Sequence, residues 1–127
     1  MDRRIFIVED HSFVREMQAR LINLQPGMTV CGTAESIEAA LADLAALPDG
    51  ADLVILDLSL FETSGFDLLA TIRERWPNLP CVVHSGKPAI EFEAAALEAG
   101  AVGYVEKGDA ISLLHIIRTT LDISESL

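Results

Sequence analysis

Four short stretches of the chain end in, or lead into, side chains that can hold a cation or exchange a proton. "IFIVED" closes on Glu9 and Asp10, "LVILD" on Asp57, "VVHS" on His84 and Ser85, and "GYVEK" on Lys107. Each follows an apolar run. The run before Asp57 is rich in Val, Ile and Leu and is preceded by Pro48, Asp49 and Gly50, as in a strand buried on both faces. A lone carboxylate is costly to bury there. Brought to one place, three carboxylates repel one another unless a cation joins them. Oxygen ligands with no Cys–His cluster suit a hard ion, Mg²⁺ first among them. His11, His84 and His115 show no spacing typical of a metal site. Cation, Lys107 ammonium and Ser85 hydroxyl together supply what a phosphoryl group requires, with Asp57 as the nucleophile that receives it.

The elements that must position these residues alternate regularly. "RIFIV" reads as a strand, and "HSFVREMQARLINL" as a helix with Val14, Met17, Leu21 and Leu24 on one face, ended by Pro26 and Gly27. "MTVCG" is a second strand. "SIEAALADLAAL" is a helix with Ile37, Leu41 and Leu44 inward and Glu38 and Asp43 outward. "LVILD" is the third strand, followed by the helix "GFDLLATIRERW" and its stop at Pro77. "PCVVHS" is the fourth strand, residues 89–99 an alanine-rich helix ended by Gly100, and "VGYVE" the fifth strand. Asp109 can cap a last helix running to about Ile123. Five β–α units imply an α/β fold, a doubly wound parallel sheet with helices on both faces. In such sheets a site forms beyond the carboxyl ends of the strands, where the strand order reverses. The four stretches all end there.

Composition narrows the function classes. The 127 residues suffice for one domain with a core, and half of them are hydrophobic. A net charge of −11 argues against nucleic-acid binding by this domain and favours a cation or a basic partner. No apolar run reaches membrane-spanning length, and no signal peptide precedes the first strand. Cys31 and Cys81 both lie in strand-like runs and read as buried free thiols of a cytoplasmic protein.

"VEDH" after strand one, "LDLSL" at strand three, "HSG" at strand four and "GYVEKGD" at strand five, in that order, resemble a response regulator receiver domain of two-component signalling. "EDHSFVRE" and "AGAVGYVEKGD" are most similar to receivers of LuxR-type regulators. The resemblance covers essentially the whole chain, residues 1–127, and implies a flavodoxin-like sheet of order 2-1-3-4-5 with five helices. It implies a phosphorylation switch, not an enzyme beyond self-catalysed phosphotransfer and autodephosphorylation. Asp57 would accept phosphate from a sensor histidine kinase or a phosphotransfer protein. Asp10 and Asp57 would bind Mg²⁺ directly with the Ser59 backbone carbonyl, and Glu9 through water. Lys107 would contact the phosphoryl group, Ser85 would swing toward it, and Tyr104 would change its ring position in step. In the family order Cys31 and Cys81 fall three strand spacings apart, ~14 Å, beyond the ~7 Å that a disulfide tolerates. After Ile123 only "SESL" remains, so no output domain is expected within these residues.

Some residues depart from the family pattern or admit plainer readings. Phe61 and Ser64 stand where a proline and an aspartate are usual, while Gly65 is kept. Gly108 replaces the proline that often follows the lysine, so a trans peptide is expected there. Glu9 and Asp10 could serve only as helix N-terminal acids, Ser85 as a turn residue and Tyr104 as edge-strand packing. Lys87 reads as solvated and His115 as surface. The alternative function is a pseudo-receiver, a phosphorylation-independent interaction domain. A phosphatase with an aspartyl nucleophile ranks last, because Ser59 stands where such enzymes carry a second acid. The last helix holds more apolar residues than one inward stripe needs. Its surplus, including Leu113, Ile116 and Ile123, could form a homodimer or partner face with strand five and the fourth helix, unless neighbouring elements cover it.

Overall fold

The computed structural model describes residues 1–59 and 65–124. Five strands, β1 (Arg3–Val8), β2 (Met28–Ala34), β3 (Leu53–Leu56), β4 (Cys81–Ser85) and β5 (Gly103–Glu106), pair in parallel in the order β2-β1-β3-β4-β5. Between and after them run α1 (Ser12–Asn23), α2 (Ile37–Ala46), α3 (Gly65–Arg75), α4 (Ala89–Glu98) and α5 (Ala110–Leu121). This is the flavodoxin-like architecture expected from the sequence.

Strand periodicity divides the core in two. Phe6, Val8, Val54, Leu56 and Val83 face α2, α3 and α4, where Leu44, Leu68, Ile72 and Ala96 meet them. Ile5, Ile7, Leu53, Ile55, Val82 and Val105 face the other way, onto Ile22 of α1 and Leu113, Ile117 and Leu121 of α5. Burying such a side chain is worth about 1.5–3 kcal/mol, so these two layers fix the sheet's position between its helices. Local signals agree with them. Ser36 caps α2 by accepting from Ala39 N at 3.1 Å, and Asp109 caps α5 by accepting from Ser112 N at 3.1 Å. Cys31 and Cys81 are free, although Cys31 is only half-buried. Burial pushes the Cys81 thiol up to about 12.

Two helix readings need correction. The buried side of α1 carries Gln18 and Ile22, whereas Met17 and Leu24 are exposed and Val14 and Leu21 are half-buried. The polar Gln18 concealed the true stripe; its amide nitrogen finds a partner inside the protein, while its Oε1 is buried without one. In α5, Leu113 is buried against the sheet and cannot contribute to a surface patch. Ile116 and Ile123 are half-buried; Ile116 lies so close to Gly103 that a Cβ there would overlap its side chain. The large apolar side chain that α5 exposes is Ile111. The helix stops at Leu121, two residues early, because Asp122 adopts a left-handed conformation with φ 56°.

Candidate functional site

The carboxyl ends of β1, β3, β4 and β5 converge because the order reverses between β1 and β3. Asp57, one residue beyond β3, is 1% exposed. Its Oδ2 accepts from Lys107 Nζ at 2.7 Å and its Oδ1 from Ser59 N at 2.8 Å. Glu9, one residue beyond β1, is also 1% exposed, and its Oε1 lies 2.9 Å from the same Lys107 Nζ. Lys107 therefore bridges two buried carboxylates. Burial alone would lower its pKa, but the bonds to Asp57 and Glu9 outweigh this and hold the ammonium above the ordinary lysine value.

The β1–α1 turn is fixed from several sides. Glu9 N donates to Ala34 O at 3.0 Å, and Arg15 Nη1 donates to Glu9 O at 2.8 Å. Glu9 Oε2 accepts from His11 N at 3.1 Å and lies 3.2 Å from His11 Nδ1. Asp10 Oδ1 lies 3.1 Å from that ring nitrogen, yet it is buried without a hydrogen-bond partner. Oxygen and nitrogen ligand atoms of Glu9, Asp10 and His11 all fall within 4.8 Å of one another. An orphaned carboxylate oxygen in a pocket with three acids and one ammonium suits a hard cation. In the sequence His11 is set aside because the three histidines show no metal-site spacing, whereas here it lies directly after the acid pair. Asp57 is not in this close group and joins it through Lys107.

Ser85, at the end of β4, is fully buried, and its Oγ accepts from Lys87 N at 3.2 Å. Lys107 N donates to Ser85 O at 2.8 Å, which sets the lysine beside the serine. Tyr104 is 8% exposed, with its ring in the layer facing α4 and its hydroxyl donating to Lys87 O at 2.7 Å. Burial raises its pKa, and its contact with Ser85 counteracts this in part. Lys87 is exposed, as expected, and its Nζ lies 5.3 Å from the centre of the Phe92 ring.

His84 alternates with Ser85 and faces the opposite layer. Its Nδ1 lies 2.8 Å from Gln18 Nε2 of α1. Burial, helped by the charge of Lys107, lowers its pKa to about 4, so the ring is neutral at pH 7 and Nδ1 acts as the acceptor. Neither residue stood out in the sequence as a partner of the other. With Phe13, Val14, Met17 and Leu113 they line a groove of about 390 Å³ between α1 and α5.

Gly65 and Gly108 explain two features of the loops. A Cβ on Gly65 would collide with the backbone of Leu58, so only glycine lets α3 begin this close to Asp57. Gly108 has φ +96°, which proline cannot adopt, and no cis peptide occurs among the described residues, as expected. Phe61 and Ser64 lie outside the described residues.

The response regulator receiver domain model matches residues 5–118. The chain is 33% identical over 94% of its length to the DNA-binding transcriptional activator DevR/DosR of Mycobacterium tuberculosis, covering 54% of that protein. It is 39% identical over 82% of its length to a protein-glutamate methylesterase/protein-glutamine glutaminase of Cereibacter sphaeroides, covering 28% of it. The chain thus spans about half or less of these relatives. Among solved structures, a LuxR-family two-component response regulator from Aurantimonas aligns with a TM-score of 0.87 at 30% identity, over 100% of this chain and 90% of that one. A CheY-like receiver domain from Methanospirillum hungatei, at 24% identity, shares the fold with a TM-score of 0.83 over 96% of this chain and 95% of that one. No helix among the described residues is long and apolar enough to cross a membrane. With its sheet order, its buried Asp57–Lys107–Glu9 cluster and a family match across most of its length, this chain belongs to the response regulator receiver domain family.

Proposed function

We propose that the chain is a phosphorylation switch that takes a phosphoryl group onto Asp57 from the phosphohistidine of a sensor kinase or a phosphotransfer protein. A carboxylate oxygen of Asp57 attacks phosphorus, the P–N bond breaks, and the departing imidazole nitrogen takes up a proton. Water later cleaves the acyl phosphate and restores the carboxylate. Asp10, Asp57 and the Ser59 carbonyl would hold Mg²⁺, with Glu9 acting through water, and such an ion would supply neutralisation of charge on the phosphoryl oxygens. Lys107 exchanges one of its carboxylate contacts for a phosphoryl oxygen. Ser85 Oγ leaves Lys87 N and donates to another, and Tyr104, already against Ser85, follows.

The observation that carries this reading is the Lys107 bridge between Asp57 and Glu9, beside the unpartnered Asp10 Oδ1. It supports the reading because Lys107 joins the carboxylate proposed as nucleophile to the acid pair proposed to hold the cation. Incubation with phosphoramidate and Mg²⁺, followed by intact-mass measurement and peptide mapping, tests it. One phosphoryl group on Asp57 is expected, and none on Asp57→Asn. A wild-type protein that stays unlabelled would leave an interaction domain without phosphoacceptor chemistry.

A further inference from the structure

Three hydrogen bonds from three side chains converge on the turn between β4 and α4. Ser85 Oγ accepts from Lys87 N at 3.2 Å, Tyr104 Oη donates to Lys87 O at 2.7 Å, and Glu106 Oε2 accepts from Ala89 N at 2.7 Å. Tyr104 and Glu106 stand two apart on β5 and so share the face toward α4. Pro88, the N-cap of α4, offers no side-chain cap. Glu106 supplies the missing acceptor from a neighbouring element, and its carboxylate sits at the positive end of the helix dipole. The next residue, Lys107, donates its backbone N–H to Ser85 O at 2.8 Å. Adjacent residues of the β5 end therefore hold both ends of the turn.

We propose that Glu106 is a positioning residue for phosphoryl uptake: by capping α4 it holds the β4–α4 turn, and Ser85 with it, in the resting arrangement. The inference rests on the phosphoacceptor reading above. On that reading Ser85 Oγ swings to a phosphoryl group on Asp57 and gives up its bond from Lys87 N, and the turn re-forms around that loss. Glu106 opposes the change, because Ala89 N would lose its acceptor as the turn moved. Removing the carboxylate shifts the population toward the arrangement in which Ser85 faces Asp57.

Initial rates of phosphoramidate labelling, read by intact mass, test the proposal in wild type, Glu106→Ala and Glu106→Gln. A charge at a helix terminus corresponds to a roughly two- to fivefold change, so Glu106→Ala should label about threefold faster than wild type. Glu106→Gln keeps an acceptor oxygen and should fall between them; it carries the comparison if Glu106→Ala does not fold. The Ala89 amide should shift and exchange faster in Glu106→Ala without any phosphoryl donor. In a Ser85→Ala background the acceleration should vanish, which a purely structural role of Glu106 does not predict. Equal labelling rates in wild type and both Glu106 variants would overturn the inference alone, as would full acceleration without Ser85. Absence of labelling in wild type would overturn the phosphoacceptor reading and the inference together.

Discussion

Lys107 holds two buried carboxylates at once, so the charge balance at Asp57 is set by a shortage of cations. Two like charges ~5 Å apart repel by roughly 3 kcal/mol at an effective dielectric of about 20, and one ammonium offsets only part of that among three acids. Asp57→Asn removes one charge and keeps an amide oxygen that can still accept from Lys107. The variant should melt higher than wild type in metal-free buffer, by ~3–5 °C for about 1 kcal/mol. Asp43→Asn, on the exposed side of α2, should leave the melting temperature unchanged. Calorimetry of the three proteins in chelator-treated buffer checks both. A lower melting temperature for Asp57→Asn would mean that the Lys107–Asp57 bond outweighs the repulsion. The Lys107 contribution itself has a clear pH sense. Its pKa is raised in the fold, so its stabilisation is complete below the unfolded lysine value and is lost as pH rises through the folded one.

The contact between α1 and β4 rests on a polar pair inside an apolar layer, Gln18 and His84. His84 titrates near 4 in the fold against 6.5 when unfolded. Between these values the unfolded chain binds the extra proton, so this stabilisation is present above pH 6.5 and is lost as pH falls toward 4. The difference amounts to about 3 kcal/mol. Replacing both partners, Gln18→Leu with His84→Leu, removes the titrating group and leaves no orphaned amide. The double variant should match or exceed wild-type stability at pH 7 and lose much less of it down to pH 4.5. Denaturant unfolding at several pH values checks this. Parallel pH curves for the two proteins would show that His84 is not the group responsible. The same pair positions the strand next to Ser85, so its removal also probes how firmly α1 supports the site.

At the scale of the whole molecule, the charge of −11 and the acid cluster at one sheet edge favour a cation, and the proposed Mg²⁺ site has a consequence for stability. Folded protein should bind Mg²⁺ and the unfolded chain hardly at all. Linkage then adds RT ln(1 + [Mg²⁺]/Kd), roughly 1.4 kcal/mol at ten times Kd. Diffuse screening of so many negative charges also stabilises, and sodium chloride at matched ionic strength isolates that component. Wild type should gain more from Mg²⁺ than from the matched salt, whereas Asp10→Asn and Asp57→Asn should respond nearly alike to both. Thermal unfolding across the two titrations decides. Equal gains in wild type would reduce the effect of Mg²⁺ to screening.

Apolar periodicity, turn residues and strand-end polar groups by themselves determined the α/β architecture, the converging edge and the set Glu9, Asp10, Asp57, Ser85 and Lys107. Those signals are local, and each strand carried its own. The strand order came from family motifs, and the structure bears it out. Tertiary structure alone decided which partner each group has. Nothing local to Gln18 shows that it lies inward, since a polar residue reads as solvent-facing until His84 is placed opposite it. Glu106 looks like an exposed edge-strand acid until α4 begins at Ala89 with no cap of its own. Leu113 looked like surplus because a helix pattern cannot show how much of α5 the sheet covers. Asp57 reads in sequence as a carboxylate that needs a cation, and the fold supplies Lys107 first. Pairings across 50 or more residues depend on the helix and strand packing that joins them, and no single segment encodes that packing.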